Sequence, residues 1–352
     1  MKSKMLPPKN RFVKQSAVAT ALCAVLSLCS CNRQTPNTSP GKKLVEVKLR
    51  QEWFPNANYA GALFAAREFA TNNGIVINIQ QGSDTIDAVK LVMAGTDQIG
   101  DVGADKVLEA IDKGADLVII GVLNLHSPAC FMAPKKLRVL TPKDFERKKV
   151  GVLQGTATEY VYRALLTKAN VNTQLVTEIQ APFDPATFFA GAYDIRPAFI
   201  YDEPVTAELK NLEFTNRFEY TIIEPKNFGV HFMGTVYFTS RKYATQNKLT
   251  VQKFIDSVAD GWRASLKYPD RAIQHLKDFD ATISVQRESM SLERAKHYFE
   301  GKDGKVLAAD LADWQEMIQL LKDLGVVHNV DISTCVDASF VNNYHFRAAK
   351  NK

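Results

Sequence analysis

The sequence predicts an α/β protein of two lobes, on three observations. From residue 45 onward, strand and helix signals alternate, which implies mainly parallel sheets covered on both faces. Beyond an apparent leader, roughly 320 residues remain, more than one core comfortably serves. No period of about 20–50 residues repeats, so a solenoid is not expected. This pattern assigns residues 44–125 and 235–352 to one lobe and 126–234 to the other. The chain crosses between them near 124–131 and 226–235.

Residues 1–31 have the parts of an export signal. Lys2, Lys4, Lys9, Arg11 and Lys14 make a basic start without an acid, and residues 17–28 form an apolar run. That run is shorter than the roughly 20 residues a bilayer span needs. It ends in Leu28-Cys29-Ser30-Cys31, which looks like a bacterial lipobox with Cys31 as the lipidated residue. The alternatives are an ordinary cleaved signal or a signal anchor. Residues 32–43 (NRQTPNTSPGKK) read as a polar tether.

The first strand is the alternating run at residues 45–50, followed by Glu52-Trp53-Phe54-Pro55-Asn56-Ala57-Asn58-Tyr59-Ala60-Gly61 and a helix over 62–70 closed by Asn72-Asn73-Gly74. Residues 74–80 are an apolar strand, 85–94 a short helix, 98–103 a brief strand and loop, 104–113 a helix, and 116–123 a continuous apolar strand. In the second unit, 141–145 start a short helix, 149–153 are a strand, and 154–159 open a helix. Strands follow at 175–180 and 198–201. Residues 236–239 are a strand that returns to the first lobe, and helices cover 251–267, 269–277, 291–300 and 308–325.

The net charge of +6 loses its force once the leader is set aside, because its five basic residues face no acid and the rest carries +1. No basic stripe interleaved with aromatics appears, so nucleic acid is not an expected partner. Beyond the leader only Cys130 and Cys335 remain. They read as two buried free thiols, with a single disulfide as the alternative. His275, His297, His328 and His345 look like scattered surface positions.

Open α/β sheets bind ligands beyond the carboxyl ends of their strands, which is where the Trp53–Gly61 stretch falls. Trp53 and Tyr59 are the first candidates, as faces that sandwich a flat ring; core packing is the competing reading. Trp262 and Trp314, mid-helix, are assigned to the core. Asn56 and Asn58 can bond ring nitrogens or cap the following helix, and Asn58 is left equally open between the two. Asp84 and Asp101 are weaker acidic candidates. Thr156 and Thr158 open a helix with free N–H groups that suit an anion or carbonyl, although Glu159 also fits a capping box with Thr156. His126, Ser127, Phe228 and His231 sit at the crossings and are placed at the mouth of the site.

Trp53-Phe54-Pro55-Asn56-x-Asn58-Tyr59-Ala60-Gly61 resembles the opening motif of bacterial solute-binding proteins of the NMT1/THI5-like, thiamine-pyrimidine group. The resemblance continues through Gly103-Ala104-Asp105, Lys148-Lys149-Val150-Gly151-Val152, Gly155-Thr156 and Tyr201-Asp202-Glu203-Pro204. It closes with Gly261-Trp262-Arg263-Ala264, Tyr268-Pro269-Asp270-Arg271-Ala272 and the stretch from Trp314 to Leu324-Gly325-Val326. It implies a type II periplasmic-binding-protein fold that closes two lobes on a ligand and delivers it to an ABC permease. It also selects Glu203, with Tyr201 on its side of a strand, as a carboxylate for the amidine-like edge of an aminopyrimidine.

The sequence holds no His-Glu-x-x-His, Gly-x-Ser-x-Gly, phosphate-cradling loop or Cys-x-x-Cys. Eukaryotic relatives resemble a pyrimidine synthase with a cysteine-rich motif, which residues 198–206 lack. The leading expectation is therefore a monomeric, lipid-anchored receptor at the cell envelope, without catalysis, cofactor or metal, taking a thiamine-precursor pyrimidine. Receptors for riboflavin, nitrate, sulfonate or taurine are alternatives within the class. A pyrimidine-forming enzyme and an envelope sensor or adhesion lipoprotein lie outside it. A cleft poor in Arg and Lys is expected, which disfavours an anion.

Overall fold

The computed structural model describes residues 43–213, 217–301 and 303–350. The expected export signal, the lipidation candidate Cys31 and the expected tether up to residue 42 lie outside the described residues.

The first lobe begins with β1 (Val45–Arg50), α1 (Ala60–Glu68), β2 (Ile75–Gln80), α2 (Ala88–Met93), β3 (Ile99–Gly103), α3 (Ala104–Asp112) and β4 (Leu117–Val122). The chain then makes β5 (Ala129–Pro134), β6 (Lys149–Val152), α4 (Ala157–Lys168), β7 (Thr177–Gln180), α5 (Ala186–Phe189), β8 (Arg196–Phe199), α6 (Glu203–Glu213) and β9 (Tyr220–Ile223). It returns as β10 (Thr235–Ser240). Seven helices follow: α7 (Arg241–Gln246), α8 (Lys248–Lys267), α9 (Pro269–Phe279), α10 (Val285–Phe299), α11 (Leu311–Asp323), α12 (Ile332–Cys335) and α13 (Ser339–Lys350).

Five strands form one sheet in the order β2-β1-β3-β10-β4. β1 runs parallel to β2 and β3, whereas β10 is antiparallel to both β3 and β4. The expectation of mainly parallel sheets is corrected here. β10 re-enters from the side where β1 to β4 end, so it must run against them. In the second lobe β5 lies antiparallel between β8 and β9. β6 pairs in parallel with β7, and a bridge from Val150 to Ile195 links this pair to the segment before β8.

Alternation along β1 buries Val47 and Leu49 against α1 and α8, while its other residues stay partly or fully exposed. α1 and α8 meet through glycines. A Cβ on Gly261 would stand 2.3 Å from the Gly61 carbonyl oxygen, and one on Gly61 would stand 2.2 Å from the Trp262 ring. Trp262 in turn stacks on Phe299 at 4.0 Å and donates its indole N–H to the Tyr237 hydroxyl at 3.2 Å. This seats the start of α1 firmly, and with it the loop that follows β1. The opposite face of the sheet packs on α3 and on Trp314, Met317 and Leu321 of α11.

Some elements depart from expectation. β9, α6 and α13 were not anticipated, and α10 starts six residues earlier than residue 291, capped by Ser284 accepting from the Arg287 N–H. Cys130 and Cys335 are free, buried thiols in separate apolar clusters. Two histidines expected at the surface are half-buried: His275 packs edge-on to Phe64 and bonds Glu68, and His345 bonds the Val306 carbonyl. No helix among the described residues is long and apolar enough to cross a membrane.

Candidate functional site

Beyond β1 the chain turns sharply, and its polar groups organise the turn. Asn56 accepts the Asn58 N–H at 2.8 Å and so caps the short helical turn Ala57–Tyr59. Asn58 does neither of the jobs left open for it. Buried, it accepts from the Asn124 amide at 3.0 Å and reaches Thr235 at 3.4 Å, tying the turn to both chain crossings. Tyr59 is buried too. Its hydroxyl accepts the Trp53 N–H at 3.0 Å, and burial with Asp101, Glu52 and Tyr201 nearby pushes its pKa well up.

A cavity of ≈170 Å³ opens beside this turn, lined by Trp53, Phe54, Pro55 and Asn56 from the first lobe. Tyr201 and Asp202, between β8 and α6, form the opposite wall; Arg287, Glu288 and Ser291 of α10 complete it. Trp53 meets Phe54 edge-on at 5.6 Å and Phe183 of the second lobe at 5.8 Å between centroids, tilted by 45°. Tyr59 is not among the lining residues, so the expected pairing of Trp53 with Tyr59 across a ligand is not formed; Trp53 and Tyr201 are the aromatic residues of the expected set that line the cavity.

The charged groups also differ from expectation. Glu203 stands in the first turn of α6 rather than on a strand, and only 6% of it is exposed. Both its oxygens are used: Arg196 donates to Oε1 through Nε and Nη2, and the Phe199 N–H donates to Oε2 at 3.0 Å. Burial and the adjacent Asp202 push this carboxyl upward, opposed by Arg196. Its neighbour Asp202 lines the cavity instead, in an ion pair with Arg287. Arg287 also donates to Thr206 at 2.7 Å. The cavity is thus lined by one guanidinium beside two carboxylates.

Glu288, in the same wall, is buried. It accepts the Ala57 N–H at 2.7 Å, and its other oxygen lies 3.5 Å from Arg287 Nε. Desolvation raises its pKa. Neither Arg287 nor Glu288 carried a sequence signal, because helix and motif are separated by about 230 residues and meet only in the fold.

The remaining candidates scatter. Asp84 is exposed on its loop and does not line the cavity. Asp101 lies under the sheet's α1–α8 face, its Oδ1 accepting the Glu52 N–H at 3.1 Å and its Oδ2 without a partner. Burial pushes its pKa well up. Thr156 donates to the Leu153 carbonyl at 2.6 Å and shares a bond with the buried Thr158. The capping box expected there is not formed: Glu159 accepts from the Gly155 N–H instead. His231, with His126 and Ser127, lines a second, smaller cavity at the crossings.

Beside the first strand's end, Glu52 takes the Gly103 N–H at 3.2 Å and the Lys106 ammonium at 2.6 Å. Asp105 stands next to it, buried, with Oδ2 unpartnered; desolvation and then Glu52 raise its pKa to about 6. A carboxyl whose folded pKa lies above its unfolded value favours folding while protonated and loses that advantage as pH rises from about 4 to about 6. Asp105→Asn is thus expected to stabilise the protein at pH 7 and to flatten the fall in Tm between pH 4 and 6.5. Equal pH slopes in wild type and variant would count against it.

Two α/β lobes and a mixed five-stranded sheet with one returning strand define the type II periplasmic-binding-protein fold. Solved structures share it. The aliphatic sulphonate-binding protein SsuA of Escherichia coli matches at a TM-score of 0.67 and 14% identity, covering 84% of this chain and 92% of that one. The alkanesulfonate-binding protein SsuA of Xanthomonas axonopodis pv. citri, bound to MOPS, matches at 0.63 and 15%, covering 84% and 99%. The desulfurization enzyme DSZB matches at 0.57 and 12%, covering 86% and 99%. No curated protein matches the sequence. The family model described as NMT1/THI5 like matches residues 56–272, and the chain belongs to that family.

Proposed function

We propose that this protein is the solute-binding component of an ABC importer, and that it takes a single-ring planar heterocycle such as a thiamine-precursor aminopyrimidine. In this reading residues 44–125 with 235–352 and residues 126–234 are the lobes that close on it. The observation that carries the reading is the cavity itself, with aromatic faces at Trp53 and Tyr201 and carboxylates at Asp202 and Glu288. Carboxylates accept from the N–H groups of an amino-substituted ring. A cavity of about 150 Å³ is enough for benzene. A volume of ≈170 Å³ therefore suits one six-membered ring and is small for a three-ring flavin.

Arg287 favours a second reading, a sulfonate-type anion, and the likeness to sulfonate-binding proteins points the same way. An anion would have to draw Arg287 away from Asp202. Calorimetric titration with aminopyrimidines, alkanesulfonates and riboflavin separates the readings. The first requires the aminopyrimidine to bind tightest, and a sulfonate that binds tightest would replace it with the second. Turnover of any of the three ligands would overturn the receptor reading in favour of an enzyme, a fate this fold allows, as DSZB illustrates.

The same proposal includes a permease partner and membrane attachment through Cys31. Cys31→Ser is expected to move the protein from the membrane to the soluble fraction. Retention on membranes would argue for an uncleaved anchor instead.

A further inference from the structure

We infer that α10 is an electrostatic strap between the lobes, anchored in the first and gripping the second at three points along one of its faces. Apolar residues make the anchorage. Leu292, Ala295 and Phe299 join the first lobe's core, with Phe299 stacked on the Trp262 ring. Glu288 adds a polar tie to the turn after β1 through the Ala57 N–H.

The grip on the second lobe is polar. Arg287 pairs with Asp202 and donates to Thr206 at 2.7 Å. Arg294 pairs with Glu208 of α6 and donates to the Tyr220 hydroxyl of β9 at 3.3 Å. The Tyr298 hydroxyl donates to Glu224 at 2.7 Å and accepts from Lys226 at 3.2 Å. Positions 287, 294 and 298 are seven and four residues apart, so at about 3.6 residues per turn they share one stripe of the helix. Their partners lie at the start of α6, in α6 with β9, and in the segment after β9.

Solvent access sets the strength of the strap. The Arg287 and Arg294 side chains are 29% and 27% exposed, and their carboxylate partners 49% and 35%. Ion pairs this wet shift an equilibrium by a factor of only about 1.5–5 each. Together they bias the lobes toward closure and leave it reversible. Arg287 belongs to the cavity wall, whereas Arg294 and Tyr298 are not among the lining residues. Arg294 and Tyr298 therefore tune affinity without touching the ligand, because apparent affinity scales with the fraction of protein already closed. This effect on affinity rests on the receptor reading. The strap does not, since it is measured without ligand.

Small-angle X-ray scattering of the ligand-free full chain is the test. Raising ionic strength from about 0.1 M to about 1 M shortens the screening length from roughly 10 Å to roughly 3 Å. The wild-type radius of gyration should rise over that range. Arg294→Ala combined with Tyr298→Phe should be expanded already at the lower salt and respond less to the higher. Arg294→Glu should be expanded too, and adding Glu208→Arg to it should restore the compact form, which a merely structural role for Arg294 does not predict. A wild-type radius indifferent to salt would overturn the strap, whatever the stability of the variants. So would a double variant as compact as wild type at low salt, or a charge swap no more compact than Arg294→Glu alone.

Discussion

Arg196→Ala is expected to lower folding stability by about 3–5 kcal/mol, the cost of leaving a buried charge without its partner. Arg196 is 1% exposed, on the four-residue strand β8. Its guanidinium donates to Glu203, to the Tyr193 hydroxyl at 2.8 Å, to the Pro182 carbonyl at 3.0 Å and to the Phe183 carbonyl. Removing it strands Glu203 in an apolar setting and releases the 182–183 loop. That loop presents Phe183 to Trp53, so ligand affinity should fall along with stability. Urea unfolding measures the first effect as a drop in midpoint at constant m-value. Adding Glu203→Gln should recover part of the loss, because the uncompensated charge is then gone. A loss under about 1 kcal/mol would mean that water reaches Glu203 and that the pair is not buried in solution.

Trp53→Ala should weaken ligand binding by about tenfold or more, as truncation of a central aromatic anchor does. Stability should barely change, because Trp53 is only half-buried and its ring contacts are to Phe54 and Phe183 at the cavity rim. Trp53→Phe should fall between the two, since it keeps a smaller stacking face. Calorimetry with whichever ligand binds tightest reads the effect. Unchanged affinity in the alanine variant would remove Trp53 from the site and leave the cavity without its main ring contact.

The strand–turn–helix unit around Trp53 was legible because its signals are local: alternation in β1, Asn caps in the turn and helix formers after it. Tyr59 and Asn58 were legible as important but not in role. Both are buried: Tyr59 bonds within the turn and Asn58 ties it to the chain crossings, a choice that side-chain type cannot disclose. Glu203 shows a missed local signal. Asp202-Glu203-Pro204 is a fair helix start, with Pro in the first turn where its lacking N–H costs nothing. A strand expected there leaves no place for α6, and in the structure Asp202, not Glu203, lines the cavity. β8 was displaced for a related reason: Arg196 and Pro197 are unusual strand residues, tolerated because the arginine is fully bonded. Arg287, Glu288 and Phe183 had no local signal at all. Arg287 and Glu288 line the cavity, and Phe183 meets the Trp53 ring, only because α10 and the loop after β7 converge on the exit of β1.

The central claim is that a planar ligand binds in the interlobe cavity against Trp53. Tryptophan fluorescence tests it directly, because Trp262 and Trp314 are buried in the apolar cores and Trp53 alone of the three lines the cavity. Titration with the tightest-binding ligand should give a saturable change in emission in wild type and none in Trp53→Phe. The same change persisting in Trp53→Phe, with unaltered affinity, would place the ligand elsewhere and contradict the account.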